Sequence, residues 1–188
     1  NTHETATVEV SGTKTWADNN DQDGVRPEAI TINLLADGEV VDTKVVTAED
    51  EWTWTFSELD KFKDGGKEIV YTITENAVEG YETVVDGFNV TNSHETETVD
   101  ITGTKTWVDG DNIKGLRPES ITINLLADSE VIETVVVTEE EDWAWTFSDL
   151  PKYKDHGTEI VYTITEDAVE EYETTIDGYD VTNTYEPE

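Results

Sequence analysis

The sequence predicts an all-β protein made of two tandem β-sandwich domains, each with seven strands. Two observations carry this. The first is whole-domain repetition: Lys14-Thr15-Trp16 recurs as Lys105-Thr106-Trp107, Trp52-Thr53-Trp54-Thr55-Phe56 as Trp143-Ala144-Trp145-Thr146-Phe147, and Tyr71-Thr72-Ile73-Thr74-Glu75 as Tyr162-Thr163-Ile164-Thr165-Glu166, each 91 positions apart. A period this long marks tandem globular domains, since shorter units cannot hold a core alone and must stack. The second is texture: short β-branched and aromatic segments alternate with turn signals at sandwich-like spacing, and no amphipathic helix of useful length interrupts them. The domains are expected at 1–93 and 94–188.

In the first copy the strands are expected near 7–16, 28–36, 40–47, 51–57, 68–76, 81–85 and 87–92. The first is set by strict alternation, with Val8, Val10, Gly12, Lys14 and Trp16 on one face and Glu9, Ser11, Thr13 and Thr15 on the other. Ile30-Thr31-Ile32-Asn33-Leu34 forms the second, and Asp37-Gly38 turns it into the third at Val40-Val41. In the fourth, Trp52, Trp54 and Phe56 alternate with Thr53, Thr55 and Ser57. A tryptophan stripe could stack sugars, but this strict period of two favours a core face. Asp64-Gly65-Gly66 opens a loop before the fifth, where Ile69, Tyr71, Ile73 and Glu75 share a face. Asp86-Gly87 turns Thr83-Val84-Val85 into Phe88-Asn89-Val90, and Asn92 continues the face of Phe88 and Val90. Ser93 to Thr98 is a polar connector without Gly or Pro, which predicts an extended, semi-rigid link.

Composition narrows the function classes. Asp and Glu number 45 against 11 Lys and Arg, a formal charge of −34. Such a surface repels nucleic acid and anionic membranes, and the acids read as a solvated coat. There is no cysteine, so disulfides cannot brace these small domains. No apolar run is long enough to span a bilayer, and there is no signal peptide. Methionine is absent even at position 1, which points to an excerpt or a processed product. Asn1-Thr2-His3-Glu4-Thr5 stands one period before Asn92-Ser93-His94-Glu95-Thr96, so the register predicts further repeats in the parent protein.

Three polar residues per domain fall on core-facing positions: Lys14, Glu75 and Asn92, repeated as Lys105, Glu166 and Asn183. A buried Lys or Glu is costly unless paired. One solution is a buried ion pair with Asn as hydrogen-bond partner, and Glu75 and Asn92 lie near strand ends, where they could also curl out to solvent. The other is covalent. Desolvation lowers a lysine pKa and raises a glutamate pKa, so a proton can pass from ammonium to carboxylate and leave a nucleophilic amine. The resulting carboxylic acid can polarise the Asn carbonyl and shuttle protons while ammonia leaves. The product is a Lys–Asn isopeptide bond, and it requires the three strands to be neighbours.

Gly-Thr-Lys-Thr-Trp (12–16 and 103–107), Arg-Pro-Glu (26–28 and 117–119), Tyr-Thr-Ile-Thr-Glu (71–75 and 162–166) and Val-Thr-Asn (90–92 and 181–183) together resemble the collagen-adhesin B-type repeat, the Cna B-type domain of Gram-positive surface proteins. The resemblance covers essentially the whole chain, twice. It implies a prealbumin-like, inverse immunoglobulin-like sandwich and self-formed isopeptide bonds. By this resemblance Lys14 is expected to join Asn92 and Lys105 to join Asn183, with Glu75 and Glu166 as the promoting acids. It also implies a stalk or spacer role in a cell-wall-anchored, extracellular protein.

The expectation is therefore a monomeric structural spacer that modifies itself once and is not an enzyme. Its partners are further repeats of the parent chain and, for the parent protein, a host-surface ligand; no nucleic acid, membrane insertion, cofactor or metal is expected. The alternative is an adhesin module that binds host protein or glycan through its loops, which a broad exposed aromatic patch would favour. Asp18, Asp21 and Asp23 before Gly24 faintly suggest a calcium loop. A closing glutamate is missing, however, and Lys114 replaces Asp23 in the second copy. His3, His94 and His156 have no zinc spacing. Leu150-Pro151-Lys152 lacks the rest of a sorting motif. Lys61, Lys63, Lys152 and Lys154 read as solvated loop charges rather than cross-linking lysines.

Overall fold

The computed structural model describes residues 1–186; residues 187 and 188, the end of the second expected domain, lie outside the described residues. The chain forms two compact units and passes from the first to the second between Thr96 and Glu97. In the first unit the strands are β1 (Thr7–Ala17), β2 (Ala29–Ala36), β3 (Glu39–Thr47), β4 (Thr53–Asp60), β5 (Phe62–Lys63), β6 (Lys67–Glu68), β7 (Tyr71–Glu75), β8 (Glu82–Asp86) and β9 (Asn89–Ser93). The second unit repeats them as β10 (Thr98–Val108), β11 (Ser120–Ala127), β12 (Glu130–Thr138), β13 (Ala144–Pro151), β14 (Tyr153–Lys154), β15 (Thr158–Glu159), β16 (Tyr162–Glu166), β17 (Glu173–Asp177) and β18 (Asp180–Thr184).

Seven strands of each unit build two facing sheets. In the first unit these are a four-stranded sheet ordered β4-β1-β9-β8 and a three-stranded sheet ordered β3-β2-β7, while β5 and β6 pair as a small hairpin of their own. β1 and β9, the first and last strands, run parallel at the middle of the larger sheet, with Lys14 opposite Val90 and Trp16 opposite Asn92. The core lies between the sheets. Val10, Trp54, Phe56 and Val90 come from the larger sheet, and Ile30, Ile32, Leu34, Val46 and Ile73 from the smaller. None of the six tryptophans is exposed, so the Trp54 and Phe56 stripe faces this core as its period predicts. Burial along β1 alternates in register with the expected faces: Val10, Gly12 and Lys14 are buried, and Glu9, Ser11 and Thr13 exposed.

Gly12 is required by a close approach. A Cβ there would sit 1.8 Å from the Phe88 carbonyl oxygen and 2.6 Å from the Trp54 ring. Gly103 repeats this against Tyr179 and Trp145.

Local departures from the expected strands have identifiable causes. The fourth strand starts at Thr53 rather than 51 because Ala48–Asp50 forms a 3₁₀ turn, which Thr47 and Asp50 cap reciprocally. Glu51 and Trp52 then take left-handed backbone angles before the chain can extend. The expected 68–76 strand is two pieces, since Lys67–Glu68 pairs with Phe62–Lys63 while Tyr71–Glu75 joins β2. Asp37 and Gly38 both have positive φ, as a two-residue hairpin loop of the I′ type demands. The second hairpin is shifted by one residue from expectation: Asp86 still pairs with Asn89, so Gly87 and Phe88 form the loop, with positive φ at Gly87 only. Lys63 and Lys154 are not merely solvated, because they form ion pairs of 2.6 Å with Asp37 and Asp128 at the β2–β3 and β11–β12 turns.

Candidate reaction centres

Strand alternation and sheet order together bring Lys14, Glu75 and Asn92 to one point. Lys14 and Asn92 project from the adjacent strands β1 and β9, two register positions apart. Glu75 comes from the opposite side: it ends β7, pairs with Ile32 and reaches across from the smaller sheet. The three strands are thus not all neighbours within one sheet; the third residue arrives across the sandwich. No side chain curls out. The side chains of Lys14 and Glu75 are both 0% exposed, and Asn92 is 0% exposed as a whole residue.

One carboxylate oxygen holds the cluster. Glu75 Oε1 accepts from Lys14 Nζ, and it accepts from Asn92 Nδ2 at 3.3 Å. Glu75 Oε2 accepts from the Thr83 hydroxyl at 3.0 Å. The buried Asn92 Oδ1 has no hydrogen-bond partner. Trp16 covers the amine, with Lys14 Nζ 4.4 Å from its ring centroid, and Trp52 meets Trp16 edge-on at 5.2 Å. Burial lowers the Lys14 pKa against the opposing hydrogen bond and charge of Glu75, so the site pushes this lysine toward the neutral amine.

The second unit repeats the arrangement with its own residues. Glu166 Oε1 accepts from Lys105 Nζ and, at 3.3 Å, from Asn183 Nδ2, while Thr174 donates to Glu166 Oε2 at 3.0 Å. Asn183 Oδ1 is likewise buried and without a partner, Trp107 lies over Lys105, and burial lowers the Lys105 pKa. All six residues singled out in the sequence therefore meet, three in each unit. The two threonines were missed. Their signal was present, since Thr83 and Thr174 recur at the common offset, but both stand on strands whose residues are all exposed.

The aspartate-rich loop beside β1 serves a different purpose from a cation loop. Asp18 is 2% exposed, and its carboxylate takes the Arg26 guanidinium through Nε at 3.0 Å and Nη2 at 2.6 Å. The Tyr81 hydroxyl and the Asp21 amide also donate to it, at 2.8 and 3.0 Å. Asp21 Oδ1 accepts from the Arg26 amide, and Asp23 pairs with His94 at 2.8 Å. The three acids thus turn toward different partners. Asp109, Arg117 and Tyr172 rebuild the clamp in the second unit. This explains the arginine of the repeated Arg-Pro-Glu motif: it and the tyrosine that precedes β8 both donate to the aspartate that follows the first strand.

Burial alone would raise the Asp18 pKa, but Arg26, the Asp21 amide and Tyr81 outweigh it and hold the carboxyl at about 2. For Asp109 the Arg117 hydrogen bond is the leading cause of the same value, about 2. A depressed carboxylate pKa stabilises the fold above its unfolded value, near 4, and this contribution fades as the pH falls toward 2. Each clamp is therefore expected to lose about 2 kcal/mol of stability between pH 5 and pH 2. Denaturant unfolding of the wild type and of Asp18→Asn across that range checks this: the variant should show a shallower acid loss, confined to the first domain.

The Cna protein B-type domain model matches residues 10–93 and 101–184. The chain is 45% identical over 182 residues to a collagen adhesin of Staphylococcus aureus, covering 93% of this chain but only 15% of that protein. It also matches a crystal structure of two B repeat units of the Staphylococcus aureus collagen-binding protein. That match has a TM-score of 0.85 and 41% identity, over 95% of this chain and 49% of the other. The chain thus spans about one-seventh of the curated relative and half of the solved one. With both halves matched from their first strand to their last, the chain belongs to the Cna protein B-type domain family and carries that domain twice.

Proposed function

We propose that each domain is a load-bearing spacer of a surface adhesin and closes itself with one isopeptide bond, Lys14 to Asn92 in the first and Lys105 to Asn183 in the second. The observation that carries this reading is the convergence of a buried amine, carboxyl and carboxamide on one glutamate oxygen, in both domains. Stabilisation alone is a poor reason for such an arrangement, since a buried ion pair is often no better than packed apolar residues.

In the reaction the Lys14 proton passes to Glu75 and frees the amine. A half-turn of the Asn92 amide brings Oδ1 to the place held by Nδ2, where protonated Glu75 donates to it. This ends the isolation of a buried acceptor and polarises the carbonyl. Nζ attacks Cγ and the new C–N bond forms. Glu75 relays the attacking nitrogen's proton to Nδ2, the Cγ–Nδ2 bond breaks, and ammonia leaves. The chain acts on itself once, with no turnover. The collagen-adhesin relative and a formal charge of −34, suited to a hydrated coat, support an external stalk position with an adhesive region elsewhere in the parent protein.

Intact-mass measurement tests the chemistry. Each bond expels one ammonia, so the protein is expected about 34 Da below the mass of its sequence, and Glu75→Gln about 17 Da below its own. An undiminished wild-type mass would end this reading, and a full deficit in Glu75→Gln would remove Glu75 from the mechanism.

A further inference from the structure

We propose that Thr83 and Thr174 are positioning residues for bond formation, each fixing the promoting glutamate so that its proton resides on the one oxygen that faces the reacting groups. The proposal rests on the isopeptide reading above and adds to it a residue outside the Lys–Glu–Asn set. A carboxyl group has two oxygens, but only Oε1 of Glu75 reaches Lys14 and Asn92. Were the transferred proton to settle on Oε2, the acid would point away from the amide and could not polarise it. The Thr83 hydroxyl donates to Oε2 at 3.0 Å, which engages that oxygen as an acceptor and favours Oε1 as the site of the transferred proton.

The placement is built into the sheet. Thr83 stands directly opposite Asn92 in the β8–β9 ladder, so one strand pairing presents the electrophile and the residue that orients its activator. Thr174 stands opposite Asn183 in β17–β18 and reaches Glu166 Oε2 over the same 3.0 Å. Thr83 is thus an exposed residue whose hydroxyl bonds a fully buried carboxyl. Neighbouring exposed positions on β8 carry no such bond: Val84 and Val85 replace hydroxyls with methyl groups and leave Thr83 as the strand's link to the site. In β17, Thr175 and Ile176 stand at these two positions, and only Thr174 contacts the glutamate.

Thr83→Val keeps the shape and removes the hydroxyl, whereas Thr83→Ser keeps the hydroxyl. Freshly expressed and rapidly purified protein is followed by intact mass over time, with peptide mapping to assign each bond to its domain. The first-domain bond of Thr83→Val is expected to form at least about tenfold more slowly than in wild type, as for a misaligned catalytic group. The second domain of the same molecules should be fully linked, and Thr83→Ser should restore the first-domain rate. A Thr83→Val first domain linked as promptly as wild type overturns the proposal, and so does a folded Thr83→Ser as slow as Thr83→Val. Should Thr83→Val fail to fold by circular dichroism, Thr174→Val and Thr174→Ser pose the same question in the second domain. Wild-type protein without any ammonia loss would instead overturn the isopeptide reading, and this proposal with it. Normal wild-type linkage with an unaffected Thr83→Val refutes the threonine role alone.

Discussion

Lys14→Met is expected to lower the unfolding free energy of the first domain by at least about 4 to 5 kcal/mol while leaving the second domain unchanged. The proposed bond from residue 14 to residue 92 would close a loop of nearly eighty residues, and the loop-closure model developed for disulfides assigns such a loop about 4.5 kcal/mol. Domains of this size are typically stable by roughly 5 to 15 kcal/mol, so the loss is a large share of the whole. Lys14→Met also leaves the buried Glu75 carboxyl without its amine, which adds a cost unrelated to the brace. Glu75→Gln blocks the same bond from the acid's side. It keeps the shape and cannot shuttle the proton, and it leaves the buried Lys14 amine without its carboxylate, so its deficit is expected to combine the missing bond with that desolvation cost. Guanidinium unfolding of the three proteins, with the second domain as internal reference, gives the comparison. A midpoint for Glu75→Gln equal to that of wild type would mean that no brace contributes to stability.

What the sequence disclosed about this site followed from periodicity. In β1 the side chains alternate without a break from Val8 to Trp16, so the inward direction of Lys14 could be read directly, and the burial pattern agrees. The same holds for Asn92 beyond Val90. Sheet membership was not legible, because alternation assigns a residue to a face and not to a sheet. That is why Glu75 was expected beside the other two and instead reaches them from the facing sheet. The 3₁₀ turn at Ala48–Asp50 was hidden inside a run that reads as strand on both sides. The Asp18–Arg26 clamp was hidden differently: its residues recur in both copies, but a cluster of acids before a glycine suggests a cation, and only the fold reveals the arginine and tyrosine that answer it. Thr83 illustrates the same limit, since no pattern of polarity separates a threonine that touches a buried carboxyl from one that touches water.

Under tension the braced protein is expected to lengthen hardly at all, and removal of one brace should release one domain. Load applied at the termini enters the first domain at β1 and leaves at β9, which lie parallel and adjacent. Pulling the start of one strand against the end of the other shears their hydrogen bonds together rather than peeling them singly. The proposed Lys14–Asn92 bond would bridge these same two strands, so that force would cross from one to the other through a covalent path and the residues between them would carry no extension. In Lys14→Met the path is open. Unfolding then frees about 78 residues, which at roughly 3.4 Å each amounts to about 27 nm of added contour length, less the small folded span. Single-molecule force extension of a polyprotein containing the wild-type pair should show no unfolding step of this size from either domain. The Lys14→Met pair should show one, and the pair that also carries Lys105→Met should show two. A wild-type pair that releases two such steps at ordinary unfolding forces would place the load on hydrogen bonds alone, and the recurrence of Lys, Glu and Asn in both cores would then need a cause other than mechanical bracing.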